Sequence, residues 1–184
     1  MLDVTEDASL AAAAARIGAD HGRLDVLVNN AGIALDGGGP ASGLDLDTLR
    51  RTYDTNVFGV FGVTQAMLPL LKKSQSGRIV NMSSGLGSLV QNSDPSWGFA
   101  GVKPLAYNSS KAALNMITVI FAAELKDAGI KVNDADPGFT ATNLNQHRGT
   151  RTVTQGATVA VRLATLPADG PTGGYFDEDG VVPW

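Results

Sequence analysis

The chain has 184 residues, 43% of them hydrophobic and 17% charged, with 22 glycines, 8 prolines and no cysteine; this suits one globular domain and excludes a disordered or fibrous chain. No apolar stretch approaches the roughly 18 residues needed to cross a bilayer, and a formal charge of -4, from 14 Lys+Arg against 18 Asp+Glu, supplies no basic surface for nucleic acid. Disulfides, thiolate metal ligands and a Cys nucleophile are excluded, and the opening Met1-Leu2-Asp3-Val4 is not a basic segment followed by an apolar one, so a cytoplasmic location is expected.

In chain order, Ala-rich Ser9 to Ile17 predicts a helix with Thr5 or Asp7 as cap and Gly18 near its end. Leu24 to Val28 is a short aliphatic run, apolar on both faces, that suits a strand of a parallel sheet and stops at Asn29-Asn30-Ala31-Gly32. A Gly-rich loop follows to Ser42, then a helical pattern from Asp45 to Lys73, interrupted around Gly59 and Gly62. Arg78 to Met82 predicts the next strand, closed by Ser83-Ser84-Gly85, and a polar insert from Gly87 to Pro104 leads into a helix over Tyr107 to Lys126, ended by Gly129. Ile130 to Asp136 is a third strand stopped by Pro137-Gly138; Thr152 to Leu166 is a further helix and Gly173 to Asp177 a last short strand. This alternation predicts an α/β fold, an open parallel sheet with helices on both faces in a single domain spanning 1–184.

Ligands of such sheets bind beyond the carboxyl ends of the strands, and Asn29 to Gly32, Ser83-Ser84 and Pro137-Gly138 each follow a strand directly. Tyr107 and Lys111, four apart on one helix, share a face; an ammonium near a phenol favours its ionised form, and the pair suits acid-base work. Ser84, from a neighbouring strand end, can donate a hydrogen bond to a carbonyl oxygen and stabilise negative charge developing there. A packed ring beside a snorkelling lysine is the plain structural alternative for the pair, as a turn that pins the sheet is for Asn29 to Gly32. His21 and His147 lack metal-ligand spacing, so no metal is expected. The context of Ser83-Ser84 is not a Gly-x-Ser-x-Gly elbow, which argues against a serine hydrolase.

Taken in order, Asp3-Val4, Asn29-Asn30-Ala31-Gly32, Asn56 in Thr55-Asn56-Val57-Phe58-Gly59, Ser84 after Ile79-Val80-Asn81-Met82-Ser83, Tyr107-Asn108-Ser109-Ser110-Lys111 and Pro137-Gly138-Phe139-Thr140-Ala141-Thr142 resemble the short-chain dehydrogenase/reductase family. The insert before Tyr107, with Trp97 and Phe99, resembles the extended segment of carbonyl-reductase-like members; it either covers the substrate or fastens the loop to the body.

The resemblance implies a Rossmann-like doubly wound sheet and hydride transfer between NAD or NADP and a small-molecule carbonyl/alcohol pair. Tyr107 is then general acid/base, Ser84 positions the substrate oxygen, Lys111 lowers the phenol pKa and holds the nicotinamide ribose, and Asn56 supports a water-mediated proton relay. It likewise implies adenine contacts from Asp3 and Val4, adenosine-side contacts from Asn29, Ala31 and Gly32, and nicotinamide contacts from Pro137, Gly138, Thr140 and Thr142. A homo-oligomer formed through the helical segments 45–73 and 107–126 is implied as well.

The family pattern opens with a strand, a Gly-x-x-x-Gly-x-Gly turn and a helix that binds pyrophosphate, and no such turn stands near Met1. The expectation is an N-terminally truncated fold lacking the first two strand-helix units, roughly 60 residues, with weak dinucleotide affinity and the Val26-Leu27-Val28 strand left as an apolar edge. NAD and NADP are not distinguished, because the strand end that chooses between them falls in that part. The rival expectation is a catalytically inactive Rossmann-like fragment that acts by protein association through this edge.

Overall fold

The computed structural model describes residues 2–184, so Met1 lies outside the described residues. Its element order is α1 (Asp7–His21), β1 (Val26–Asn29), α2 (Leu46–Tyr53), α3 (Val60–Leu71), β2 (Arg78–Met82), α4 (Leu89–Ser93), α5 (Leu105–Glu124), β3 (Lys131–Ala135), α6 (Val153–Ala164) and β4 (Tyr175–Phe176). The strands form one parallel sheet in the order β1-β2-β3-β4, as the helix-strand alternation predicts for a Rossmann-like α/β fold.

Two apolar clusters separate the faces. Leu10 of α1, Val63, Met67, Leu70 and Leu71 of α3, and Ala122 of α5 pack with Ile79 and Val132 on one side. On the other, Val159, Ala160 and Leu163 of α6 pack on Val80 and Ala135. Strand alternation accounts for the division, since Ile79 and Val80 point to opposite faces.

Several boundaries differ from the sequence reading for local reasons. Helix α1 has Glu6 rather than Thr5 or Asp7 at its N-cap, with no side-chain bond, and it runs past Gly18 to His21, where the capping Gly22 takes the left-handed conformation (φ 74°) and donates its N–H to the Gly18 carbonyl. The interruption expected near Gly59 is a π-helical turn over Asp54–Gly59 that joins α2 to α3. The insert over 87–104 holds the short helix α4.

Strand β1 is the edge of the sheet. Val28 stands in register with Val80, so it faces the α6 side, and there Val26 and Val28 remain 38% and 41% exposed. An open apolar edge invites pairing with another chain. Replacing Val28 with Lys is accordingly expected to lower the scattering mass of the purified chain toward that of a monomer; an unchanged mass would show that β1 does not drive association.

Beneath α5 runs a buried polar ladder. The Asn29 amide donates to Asn81 Oδ1 (2.8 Å) and Thr64 Oγ1 (3.1 Å), the Asn81 amide donates to Thr118 Oγ1 (2.6 Å), and that hydroxyl donates to Asp134 Oδ1 (2.5 Å). Each such bond contributes about 0.5–1.5 kcal/mol, and a member deprived of its partner costs more. Asn29 therefore pins the sheet through both of its amide N–H bonds.

Candidate active site

The carboxyl ends of β1, β2 and β3 bring three loops to one end of the sheet. After β2, Ser84 is extended and its Oγ accepts from Leu86 N, which caps a 3-10 turn over Gly85–Gly87. That turn lies directly against α5: a Cβ on Gly87 would stand 2.7 Å from Lys111 Cβ. Helix α5 begins after Pro104, and Asp36 in the loop after β1 accepts the Ala106 N–H at 2.7 Å, an N-terminal cap reaching across seventy residues of sequence.

This helix presents Tyr107 and Lys111 on one buried face. The Lys111 ammonium lies 5.6 Å from the centre of the Tyr107 ring and donates to the Met82 carbonyl at 2.7 Å. Asn56, in the π-helical turn, accepts from Ile33 N (2.8 Å) and donates to Ile33 O (2.8 Å) and Ser110 Oγ (3.0 Å). It thus clamps the loop after β1 to the helix that carries Tyr107. Gly32 borders the same cluster: its Cβ position lies 3.5 Å from Lys111 Nζ and 3.6 Å from Asn56 Oδ1, ordinary contact distances. Ser84, Tyr107, Lys111, Asn56 and Gly32 are therefore brought together.

The electrostatics differ in one respect from the expectation for the tyrosine. Burial pushes the Tyr107 phenol up to about 12; the Ser84 hydroxyl partly opposes this and the Asp136 carboxylate adds to it. The proximity of Lys111 does not offset that burial. Its nitrogen is turned to the Met82 carbonyl, and burial pushes the lysine itself down to about 8, against an opposing pull from Asp134. The phenol is consequently protonated across the neutral range.

The loop after β3 completes the rim. Asp136 accepts from Gly85 N through Oδ2 and from Gly138 N through Oδ1, both at 2.9 Å, and so ties the serine turn to the Pro137-Gly138 turn. Gly138 has φ 66° and packs on Arg151, which forms an ion pair with Glu178 at 2.5 Å. The Thr140 hydroxyl donates to Pro137 O at 2.9 Å, and Thr142 N donates to Asn145 Oδ1 at 3.3 Å. Trp97 meets Phe99 at 5.6 Å between ring centres, and Phe99 meets Phe139 at 6.0 Å, both edge-on. The insert thereby forms an aromatic wall continuous with the loop after β3, and Phe99 and Phe139 stay partly open to solvent.

Asp3 and Val4 stand apart from this group. Asp3 accepts from the Thr5 N–H and hydroxyl, which hold its carboxyl below the usual range, and Val4 packs against Gly59. Sequence reading missed Asp36, Asn115, Asp134 and Asp136. Two of them carried a signal: Asp134 and Asp136 alternate at the end of an apolar strand, where a carboxylate demands a partner. Among the described residues no cluster of His, Cys, Asp and Glu is arranged to hold a metal ion, and no helix is long and apolar enough to cross a membrane.

A family model for short chain dehydrogenases matches residues 1–152. The chain is 40% identical over 169 residues to a short-chain dehydrogenase of Penicillium roqueforti, covering 90% of this chain and 66% of that protein. It is 32% identical to a (-)-isopiperitenone reductase of Mentha piperita, covering 97% and 78%. The chain spans 66%, 58% and 57% of the lengths of three curated relatives. Among solved structures, carbonyl reductase Sniffer of D. melanogaster superposes with TM-score 0.86 at 27% identity, covering 100% of this chain and 76% of that one. An NADPH-bound carbonyl reductase from chicken fatty liver superposes with TM-score 0.82 at 29% identity, covering 100% and 75%.

Proposed function

The chain belongs to the short-chain dehydrogenase family, and on that premise we propose that its residues form the site of an NAD(P)-dependent oxidoreductase that interconverts a small-molecule carbonyl and its alcohol. The observation that carries this reading is the convergence of Ser84, Tyr107, Lys111 and the Asn56-clamped Gly32 at the carboxyl end of a parallel sheet.

The nicotinamide half of a dinucleotide fits this convergence. Gly32 stands beside Lys111 Nζ and Asn56 Oδ1, and Gly138 at the facing turn is exposed. Lys111 would hold the nicotinamide ribose, with Pro137, Gly138, Thr140 and Thr142 along the ring. When bound, the nicotinamide supplies or accepts the hydride. The adenine half has less: residues 2–184 hold no Gly-x-x-x-Gly-x-Gly turn for the pyrophosphate, and Asn29 gives its amide protons to Asn81 and Thr64, so Asp3, Val4, Ala31, Gly32 and the oxygen and backbone of Asn29 would serve that side.

In the reducing direction Ser84 donates a hydrogen bond to the substrate oxygen and the Tyr107 phenol delivers the proton as negative charge builds there. A phenol held near 12 suits this task, being protonated throughout the neutral range. The aromatic wall of Trp97, Phe99 and Phe139 favours an apolar or ring-bearing substrate. Exposed Phe58, Phe61, Met116 and Ile120 favour a homo-oligomer formed through the helices that carry them, and a cytoplasmic setting suits the nicotinamide cofactors. The rival reading, protein association without catalysis, draws on the open face of Val26 and Val28.

Titration with NADPH and NADH, followed by nicotinamide fluorescence, is expected to give weak, saturable binding that Lys111→Ala reduces. Absence of binding by either cofactor at millimolar concentration would remove the reading for these 184 residues.

A further inference from the structure

We infer that Asn92 and Lys103 are positioning residues, a polar clasp that closes the base of the aromatic insert and holds Trp97 and Phe99 beside the turn carrying Ser84. The insert's role as a wall for substrate rests on the function proposed above, whereas its clasping does not.

Every hydrogen-bonding site of the Asn92 side chain is filled. Its amide nitrogen donates to Leu86 O at 2.8 Å and Ser88 O at 2.9 Å, and its Oδ1 accepts from Lys103 Nζ at 3.1 Å and from the Asn108 amide at 3.2 Å. Two N–H donors and two lone pairs are all that a carboxamide has. The backbone carbonyl of Asn92 takes a further bond from Lys103 Nζ at 2.7 Å. The amide can stand only this way round, since exchanging its O and N would set nitrogen against two donors and oxygen against two carbonyls.

Three segments meet at this side chain. Leu86 lies in the turn after Ser84, and Ser88 caps α4. Lys103 ends the insert two residues before α5 begins, and Asn108 directly follows Tyr107. Asn108 also donates to Val102 O at 3.2 Å, which secures the returning end of the insert. The chain thus leaves Asn92 and comes back to it eleven positions later, as in a compact surface loop whose ends are close.

The aromatic wall stands on this loop. Trp97 reaches the serine turn, where a Cβ on Gly85 would lie 3.1 Å from Trp97 Cζ2, and Phe99 bridges Trp97 to Phe139. Among the described residues, the backbone N–H bonds of 94–101 stay within the insert and α4. The clasp and the aromatic contacts therefore set the distance of the wall from Ser84 and Tyr107. Gly87 packs the serine turn on Lys111 independently, so release of the clasp moves the wall and leaves the reacting residues in place.

The test uses the 184-residue chain with Trp184→Phe, which makes Trp97 the single tryptophan. Asn92→Ala and Lys103→Met are expected to shift its emission to longer wavelength and to steepen quenching by acrylamide. Lys103→Arg, which keeps a cation and its donors, is expected to retain the parent emission. Lys103 is exposed, so its variants carry the test if Asn92→Ala does not fold. In turnover with NADPH or NADH, both clasp variants should raise KM for acetophenone about tenfold, the worth of a small apolar contact in a pocket. With kcat little changed, this is the pattern of lost binding rather than lost chemistry, and KM for 2-butanone should move less. Unchanged Trp97 emission and quenching in both variants overturns the clasp. A released Trp97 with unchanged KM for acetophenone overturns its role toward substrate. A parent chain that transfers no hydride overturns the proposed function instead, and the Trp97 emission still decides the clasp.

Discussion

Tyr107→Phe is expected to lower carbonyl reduction by about 10²–10⁴-fold, the range that a positioned acid-base group supplies, with little change in thermal stability. The ring is retained and packs as before. The lost hydroxyl is buried and hydrogen-bonds Ser84, and burial together with the Asp136 carboxylate holds the phenol near 12. The same shift sets the pH behaviour. Reduction needs the protonated phenol, which persists to high pH, so the parent rate should be flat through neutrality. Oxidation needs the phenolate, so it should rise as pH climbs toward alkaline values. Stopped-flow nicotinamide absorbance in both directions, with calorimetric melting of each variant, checks the result. A Tyr107→Phe chain that keeps the parent rate would assign the proton to another group.

Gly87→Ala is the second large effect, and it acts through geometry. A Cβ at Gly87 meets Lys111 Cβ at 2.7 Å, Lys111 C at 2.8 Å and Ala112 N at 3.1 Å. Two of these are helix backbone atoms and cannot swing aside, so either the turn carrying Ser84 or the helix carrying Tyr107 must move. Overpacking of this kind costs about 1–3 kcal/mol, which lowers the melting temperature of a chain this size by roughly 2–4 °C per kcal/mol. A displacement of about 1 Å between the serine and the tyrosine should cost about 10²-fold in rate. Gly98→Ala is the matched control: nothing lies within 4 Å of its Cβ position, and its effect should stay within about 0.5 kcal/mol. Equal melting temperatures and rates for Gly87→Ala and Gly98→Ala would contradict the close packing of turn on helix.

What could be read from the sequence was set by how local each signal is. Arg78 to Met82 holds Ile79, Val80 and Met82 in a short run bounded by turn residues, and β2 coincides with it. Tyr107 and Lys111 share a face because helical spacing alone requires it. Asn56 was found by its motif, but its task of holding Ile33 to Ser110 spans 23 and 54 residues of sequence and depends on the folded chain. Asp36 was passed over for the same reason, since nothing near it announces the Ala106 N–H that it caps. The upward shift of Tyr107 was not legible, because a lysine four residues away shows in the sequence and the burial that outweighs it does not. Enclosure by the folded chain is what turns Lys111 toward Met82 and makes desolvation the larger effect.

The edge strand shows the reverse. Val26-Leu27-Val28 reads as apolar on both sides, and the structure places it at the edge of the sheet with Leu27 packed and the two valines open. The sequence predicted the exposure correctly by counting which strands the motifs accounted for.

The central claim is that Ser84, Tyr107 and Lys111 assemble a site for hydride transfer to a carbonyl carbon. The most direct measurement is label transfer: the protein is incubated with NADPH or NADH deuterated at the nicotinamide C4 and with a panel of aromatic, cyclic and aliphatic ketones, and the alcohols are read by mass spectrometry. The account predicts one deuterium at the carbinol carbon of at least one ring-bearing ketone, lost in Tyr107→Phe. Cofactor binding without deuterium in any product, or labelled product undiminished in Tyr107→Phe, would contradict it.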